Sequence, residues 1–112
     1  MLIEAGRVEL LAGEPEPVAV PRSGGKTQRI WRCPACRVAL YSRYTRRQIL
    51  FVRAGTLDDP PAVEPDVHIY TRSKLPWVEL PASVPAFRSY YDAKKLWPAA
   101  SLARLETALA AG

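Results

Sequence analysis

Gln28-Arg29-Ile30-Trp31-Arg32-Cys33-Pro34-Ala35-Cys36-Arg37-Val38-Ala39-Leu40-Tyr41-Ser42-Arg43-Tyr44 is the stretch on which the fold turns. On either side of the cysteines the chain reads as a strand. Val38, Leu40 and Ser42 face one way and Ala39, Tyr41 and Arg43 the other, the period-two alternation of a pleated segment. Gln28 to Arg32 runs into the cysteines and Val38 to Tyr44 leaves them. Cys33-Pro34-Ala35-Cys36 is therefore read as a turn between two strands.

Two thiolates at this spacing can hold one zinc ion from a tight turn, but structural zinc takes four protein ligands, usually from two such turns. The chain has no other cysteine, and its remaining soft-ligand candidates are His68 and Met1. Three readings stand side by side: a metal site completed by other ligands, a dithiol redox pair, or two free cysteines. Redox pairs of this spelling sit where a strand enters a helix, whose N-terminus stabilises the thiolate. Here a strand follows. A zinc knuckle suits a strand-turn-strand context, with backbone N–H groups aimed at the thiolates. Its fifth residue is usually glycine, whose freedom lets that N–H approach; here it is Arg37. His68 lies in Val67-His68-Ile69-Tyr70. It is either a packed, hydrogen-bonded histidine or a third ligand, the latter only if the fold brings it beside the turn.

Outward from this centre the chain is short strands and turns. Arg7 to Leu11, Val18 to Val20 and Val67 to Thr71 are predicted strands. Pro21-Arg22-Ser23-Gly24-Gly25-Lys26 is a turn, and Thr45-Arg46-Arg47-Gln48 is a hairpin tip. Ile49 to Ala54 is a nearly continuous apolar run, predicted to be a strand covered on both faces. Pro76 to Pro85 is punctuated by proline and is expected to lack regular structure. Pro98 and Gly112 bracket a helix of about 98–111, with Leu102, Leu105 and Leu109 on one stripe. The expected fold class is mainly β with a short C-terminal helix, in a single domain over residues 1–112.

Apolar residues make up 48% of the 112, enough for a core. No apolar run approaches the roughly 18 residues that span a bilayer, and the N-terminus lacks a signal-peptide layout. A cytoplasmic protein without membrane partners is expected. The net charge is +5, and its distribution matters more than its size. Between Val18 and Leu57 stand nine cations (Arg22, Lys26, Arg29, Arg32, Arg37, Arg43, Arg46, Arg47 and Arg53) and no acid. Such a block is either a solvated face of hairpins or a surface for an anionic partner.

The order of these motifs resembles the glutathione-dependent formaldehyde-activating enzyme family, which includes the centromere protein V relatives. A strand ending in an aromatic runs into Cys-Pro-x-Cys and then Leu40-Tyr41. An apolar strand follows, then Gly55-Thr56-Leu57-Asp58-Asp59-Pro60, Val67-His68-Ile69-Tyr70 and Ser73-Lys74-Leu75-Pro76-Trp77-Val78. Upstream, Val8-Glu9-Leu10-Leu11-Ala12-Gly13-Glu14-Pro15 is similar to the family segment ahead of the second cysteine pair. The resemblance covers roughly residues 3 to 87. It implies a β-tent fold, zinc-ribbon-like folded sheets around a structural zinc, with Cys33 and Cys36 as the later pair of zinc ligands. It also implies a carbon–sulfur lyase activity, run in the direction of S-(hydroxymethyl)glutathione synthesis on a second, catalytic zinc.

The chain departs from that pattern in one respect. The N-terminal C-x-C pair and the catalytic C-x-C-x-x-C segment would fall before Met1, and residues 1 to 32 contain no cysteine. The resemblance therefore leads to the expectation of an N-terminally shortened, metal-binding, carbon–sulfur lyase-like protein without catalysis of its own. Catalytic residues stay unassigned, and glutathione adducts are the implied partners. Lost strands would expose a sheet edge and apolar surface around Trp31, Leu40 and Phe51, so a homodimer is expected. The rival reading is a basic zinc-ribbon-like module that binds nucleic acid through Arg29, Arg32, Arg37, Arg43 and Arg46.

Overall fold

The computed structural model describes residues 1–112. Five strands, β1 (Leu2–Glu4), β2 (Glu16–Pro21), β3 (Thr27–Arg32), β4 (Ala39–Arg43) and β5 (Ile49–Val52), form one antiparallel sheet in the order β1-β5-β4-β3-β2. Two helices follow, α1 (Ala93–Leu96) and α2 (Ala99–Ala110). The mainly β class with a short C-terminal helix is what the alternation pattern predicts. The chain forms two compact units, one of Met1–Pro60 with Ala103–Gly112 and one of Pro61–Leu102.

In the first unit β2 to β5 are a meander, each strand paired with the next. The turn into β3 needs Gly24 and Gly25, both left-handed at φ 73° and 71°. L-residues with a Cβ adopt that region only at a cost. The Arg22 N–H closes the turn on the Lys26 carbonyl at 2.8 Å. β1 then pairs on the far side of β5, with Ile3 opposite Leu50. Ile49 and Leu50, the most buried apolar side chains of the molecule, are adjacent and so point to opposite faces. Both faces of β5 are covered there, as the uninterrupted apolar run implies. On the central strand β4, Ser42 is wholly buried and its hydroxyl has no hydrogen-bond partner.

The predicted strand at Arg7 to Leu11 does not form. Ala5–Arg7 is a 3-10 turn, and residues 8 to 11 have no regular structure. The sheet order gives the reason. β1 and β2 occupy opposite edges, so the connection must travel four strand spacings, roughly 19 Å. Its residues meet no strand to pair with, and Leu11 stays 88% exposed. The last turns of α2 belong to this unit. Arg104 grips Glu4 of β1 with two hydrogen bonds, Nε to Oε1 at 2.8 Å and Nη2 to Oε2 at 2.7 Å.

The second unit is largely irregular. Val67 to Thr71 is not a strand; it makes a single parallel bridge between His68 and Ala86. The His68 N–H donates to the Pro85 carbonyl, and the Phe87 N–H donates to the His68 carbonyl, both at 2.9 Å. Pro76, Pro81 and Pro85 lack backbone donors, which prevents a continuous ladder. An aromatic cluster does the packing instead. Tyr90 stacks on Tyr91 at 4.6 Å, Phe87 lies 6.1 Å from Tyr91, and Trp97 Nε1 donates to the Tyr91 hydroxyl at 3.0 Å. α1 starts at Asp92, whose side chain accepts from the Lys94 N–H at 3.0 Å. The Pro98 carbonyl opens α2 by accepting from the Ser101 and Leu102 N–H groups.

Candidate functional site

Cys33 follows the end of β3 and Cys36 sits at the apex of the turn into β4. Cys33 is half-buried and Cys36 is exposed, and no disulfide joins them. The turn is closed by two backbone bonds of 2.9 Å, Arg37 N–H to the Cys33 carbonyl and Cys33 N–H to the Val38 carbonyl. Arg37, standing where glycine is usual, takes the left-handed conformation itself at φ 65°. Two contacts hold it there. Its Nη1 donates to Glu16 Oε2 at 2.9 Å, and its carbonyl accepts from Arg32 Nη1 at 3.0 Å.

This geometry has a chemical consequence at Cys33. The Cys36 and Ala35 backbone N–H groups favour its thiolate most, then the Cys36 thiol, and Arg37 contributes a weaker positive field. Together they hold the Cys33 thiol below its ordinary range. Hydrogen bonds to the charged form favour that form. A thiolate cradled by turn amides is what a soft metal ion requires of its ligand.

The donor set fits half of a tetrahedral thiolate site. No three His, Cys, Asp or Glu side chains in residues 1–112 are grouped so as to hold a metal ion. His68 lies in the second unit, with its Nε2 buried and without a hydrogen-bond partner. The turn also lacks the downstream helix that dithiol redox sites use, since β4 follows it directly.

The five arginines of the nucleic-acid reading have different surroundings. Arg37 is paired with Glu16, and Arg32 is committed to the Arg37 carbonyl. Arg29 and Arg43 line a cavity with Thr27, Tyr44 and Arg47, and Arg46 lies outside it. Sequence reasoning missed Glu16, because it lies 21 residues from Arg37 and meets it only through the β2–β3 register, Glu16 opposite Arg32. The register had a readable signal in the turn at Ser23-Gly24-Gly25, which sets which residues face each other across the hairpin.

A family model described as glutathione-dependent formaldehyde-activating enzyme matches residues 1–73. No curated protein and no solved structure gives a significant match. No helix is long and apolar enough to cross a membrane.

Proposed function

The chain belongs to the glutathione-dependent formaldehyde-activating enzyme family, and on that premise we propose that it is a metal-binding member whose Cys33–Cys36 turn supplies half of a structural zinc site. The observation that carries this reading is the Cys33–Cys36 turn between β3 and β4, closed by the Arg37 N–H to Cys33 carbonyl and Cys33 N–H to Val38 carbonyl bonds, with both thiols free. Two such turns make the four-thiolate tetrahedron that structural zinc prefers. The second turn comes from a second copy of the chain, related by a two-fold axis that passes through the metal.

The same donor count argues against lyase turnover by residues 1–112. The family chemistry implied by the resemblance needs a zinc held by three further cysteines, and these residues offer two thiols in a single turn. The half-site is therefore structural, and glutathione adducts are not converted on it.

Zinc titration of the metal-free chain tests the reading. The expected result is one zinc per two chains, with a dimer mass by light scattering that chelator reverses, and loss of both in Cys33→Ser. Tight one-to-one zinc in a monomer, unaffected by Cys33→Ser, overturns it. The activity arm is the formation of S-(hydroxymethyl)glutathione from glutathione and formaldehyde. The spontaneous rate is expected; a chelator-sensitive acceleration contradicts the proposal.

A further inference from the structure

Arg29 of β3 stands directly opposite Arg43 of β4 in the sheet register. Like charges at that position destabilise an antiparallel pair. Arg47, from the hairpin tip, joins them around a cavity of about 440 Å³ that Thr27 and Tyr44 complete. No carboxylate relieves the repulsion. The two ion pairs of the molecule are Arg37–Glu16 and Arg104–Glu4, and neither enters this cavity.

The lining is held in place by its neighbours. The Arg43 guanidinium lies over the Trp31 ring, 4.9 Å from its centroid, and Trp31 is itself stacked on Tyr41 at 5.2 Å. Arg22 covers the Tyr44 ring at 4.7 Å, and Phe51 meets that ring edge-on. A guanidinium with its face on a ring keeps its N–H edge for a ligand. The Tyr44 hydroxyl accepts from Gln28 Nε2 at 3.0 Å, which fixes that ring. The lining thus offers three arginines, the Thr27 hydroxyl and no carboxylate.

We propose that this cavity binds the phosphate group of a small phosphomonoester. A dianion with three terminal oxygens matches three arginines around one cavity better than a planar, singly charged carboxylate does. The volume lies in the range of small-molecule sites. Of the other cations, Arg32 donates to the Arg37 carbonyl, Arg37 is paired with Glu16, and Arg46 does not line the cavity.

Calorimetric and thermal-shift titrations of the full chain test this, at constant ionic strength and with four probes: inorganic phosphate, a ribonucleoside 5′-monophosphate, the unphosphorylated nucleoside, and glutathione. The first two are expected to bind and raise the melting temperature, and the other two to do neither. Arg47→Ala, on an exposed tip, weakens phosphate binding about tenfold or more. Arg43→Lys, which keeps the charge and loses the fork, falls between wild type and Arg43→Ala. Cys33→Ser binds phosphate as the parent does, which separates this site from the metal half-site. A phosphate response no larger than that to chloride, or one unchanged in Arg47→Ala, overturns the proposal. So does preference for glutathione. Tighter binding of an oligonucleotide without terminal phosphate, with steep salt dependence, overturns it in favour of a nucleic-acid surface.

Discussion

Arg37 carries a backbone conformation that belongs to glycine, and the protein holds it there with an exposed ion pair. A left-handed L-residue costs about 1–2 kcal/mol, and an exposed pair contributes about 0.2–1 kcal/mol. The strain exceeds what the pair returns. Arg37→Gly is therefore expected to be near neutral in stability, while Arg37→Ala, which keeps the strain and loses the pair, is lower by about 1 kcal/mol. Chemical denaturation of the two variants side by side checks the order; Ala at or above Gly contradicts it. At Cys33 the sign follows from the lowered thiol pKa. The stability that its thiolate contributes is present above the ordinary thiol pKa and is lost as pH falls through the lowered folded value. Alkylation of Cys33 in the folded, metal-free chain should have a pH midpoint below that of the same cysteine in denaturant, read by peptide mass spectrometry. The donors Cys33 and Cys36 were legible from spacing alone, and so was the oddity of Arg37. Its partner Glu16 was not, because pairing across a hairpin depends on a register that local sequence signals only indirectly.

Among the elements, β3, β4 and β5 were readable because their side chains alternate or run apolar without interruption, and turns mark their ends. The strand expected at Arg7 to Leu11 was not readable as a connection, since Val8 and Leu10 carry the same pattern whether or not a neighbour exists. Strand formation there was decided by β1 and β2 taking opposite sheet edges. α1 was missed because a four-residue helix gives no periodicity, although Asp92 before it is a capping signal. Central β4 contains one mismatch of its own. Ser42 is fully buried with an unbonded hydroxyl, and a buried polar group without a partner costs about 1–3 kcal/mol. Ser42→Ala is expected to raise unfolding stability by about 1 kcal/mol, the lost hydroxyl leaving a gap smaller than a methyl group; a drop in the denaturation midpoint refutes this. Between β1 and α2, Arg104 holds the Glu4 carboxyl down to about 2 from an ordinary 4.5. That contribution is present above pH 4.5 and is lost as pH falls towards 2. Wild type should lose more stability over this window than Glu4→Gln, in which position 4 does not titrate. Parallel acid curves for the two proteins would place the linkage elsewhere.

At the scale of the whole molecule, the apolar surface left in water sits in different places from those the sequence led one to expect. Trp31, Leu40 and Phe51, expected to be bare, are half-buried in the sheet, whereas Leu10, Leu11, Val18 and Val38 of the first unit are exposed, as are Leu75 and Trp77 of the second. The sheet edges are poor sites for strand addition. β1 is three residues long, and β2 carries Pro17 and Pro21, which lack the N–H donor that an added strand would need. Self-association through an open edge is thereby disfavoured, and the proposed dimer would instead bury side chains around the cysteine turn. Val38 follows that turn directly and is 47% exposed, and Val18 lies on the neighbouring edge strand at 42%. A zinc shared by two Cys33–Cys36 turns would bring both copies of Val38 near the two-fold axis and cover them. Metal binding and apolar burial then stabilise the same assembly, so the folded state should gain from zinc and from protein concentration together. The expected result is a melting temperature that rises over roughly a hundredfold increase in chain concentration when zinc is present, and that is flat with chelator. Val38→Asp should abolish the concentration dependence while leaving Cys33 and Cys36 able to bind metal weakly one to one. A zinc-dependent rise that ignores concentration would mean that each chain closes its own site, and the shared tetrahedron would be wrong.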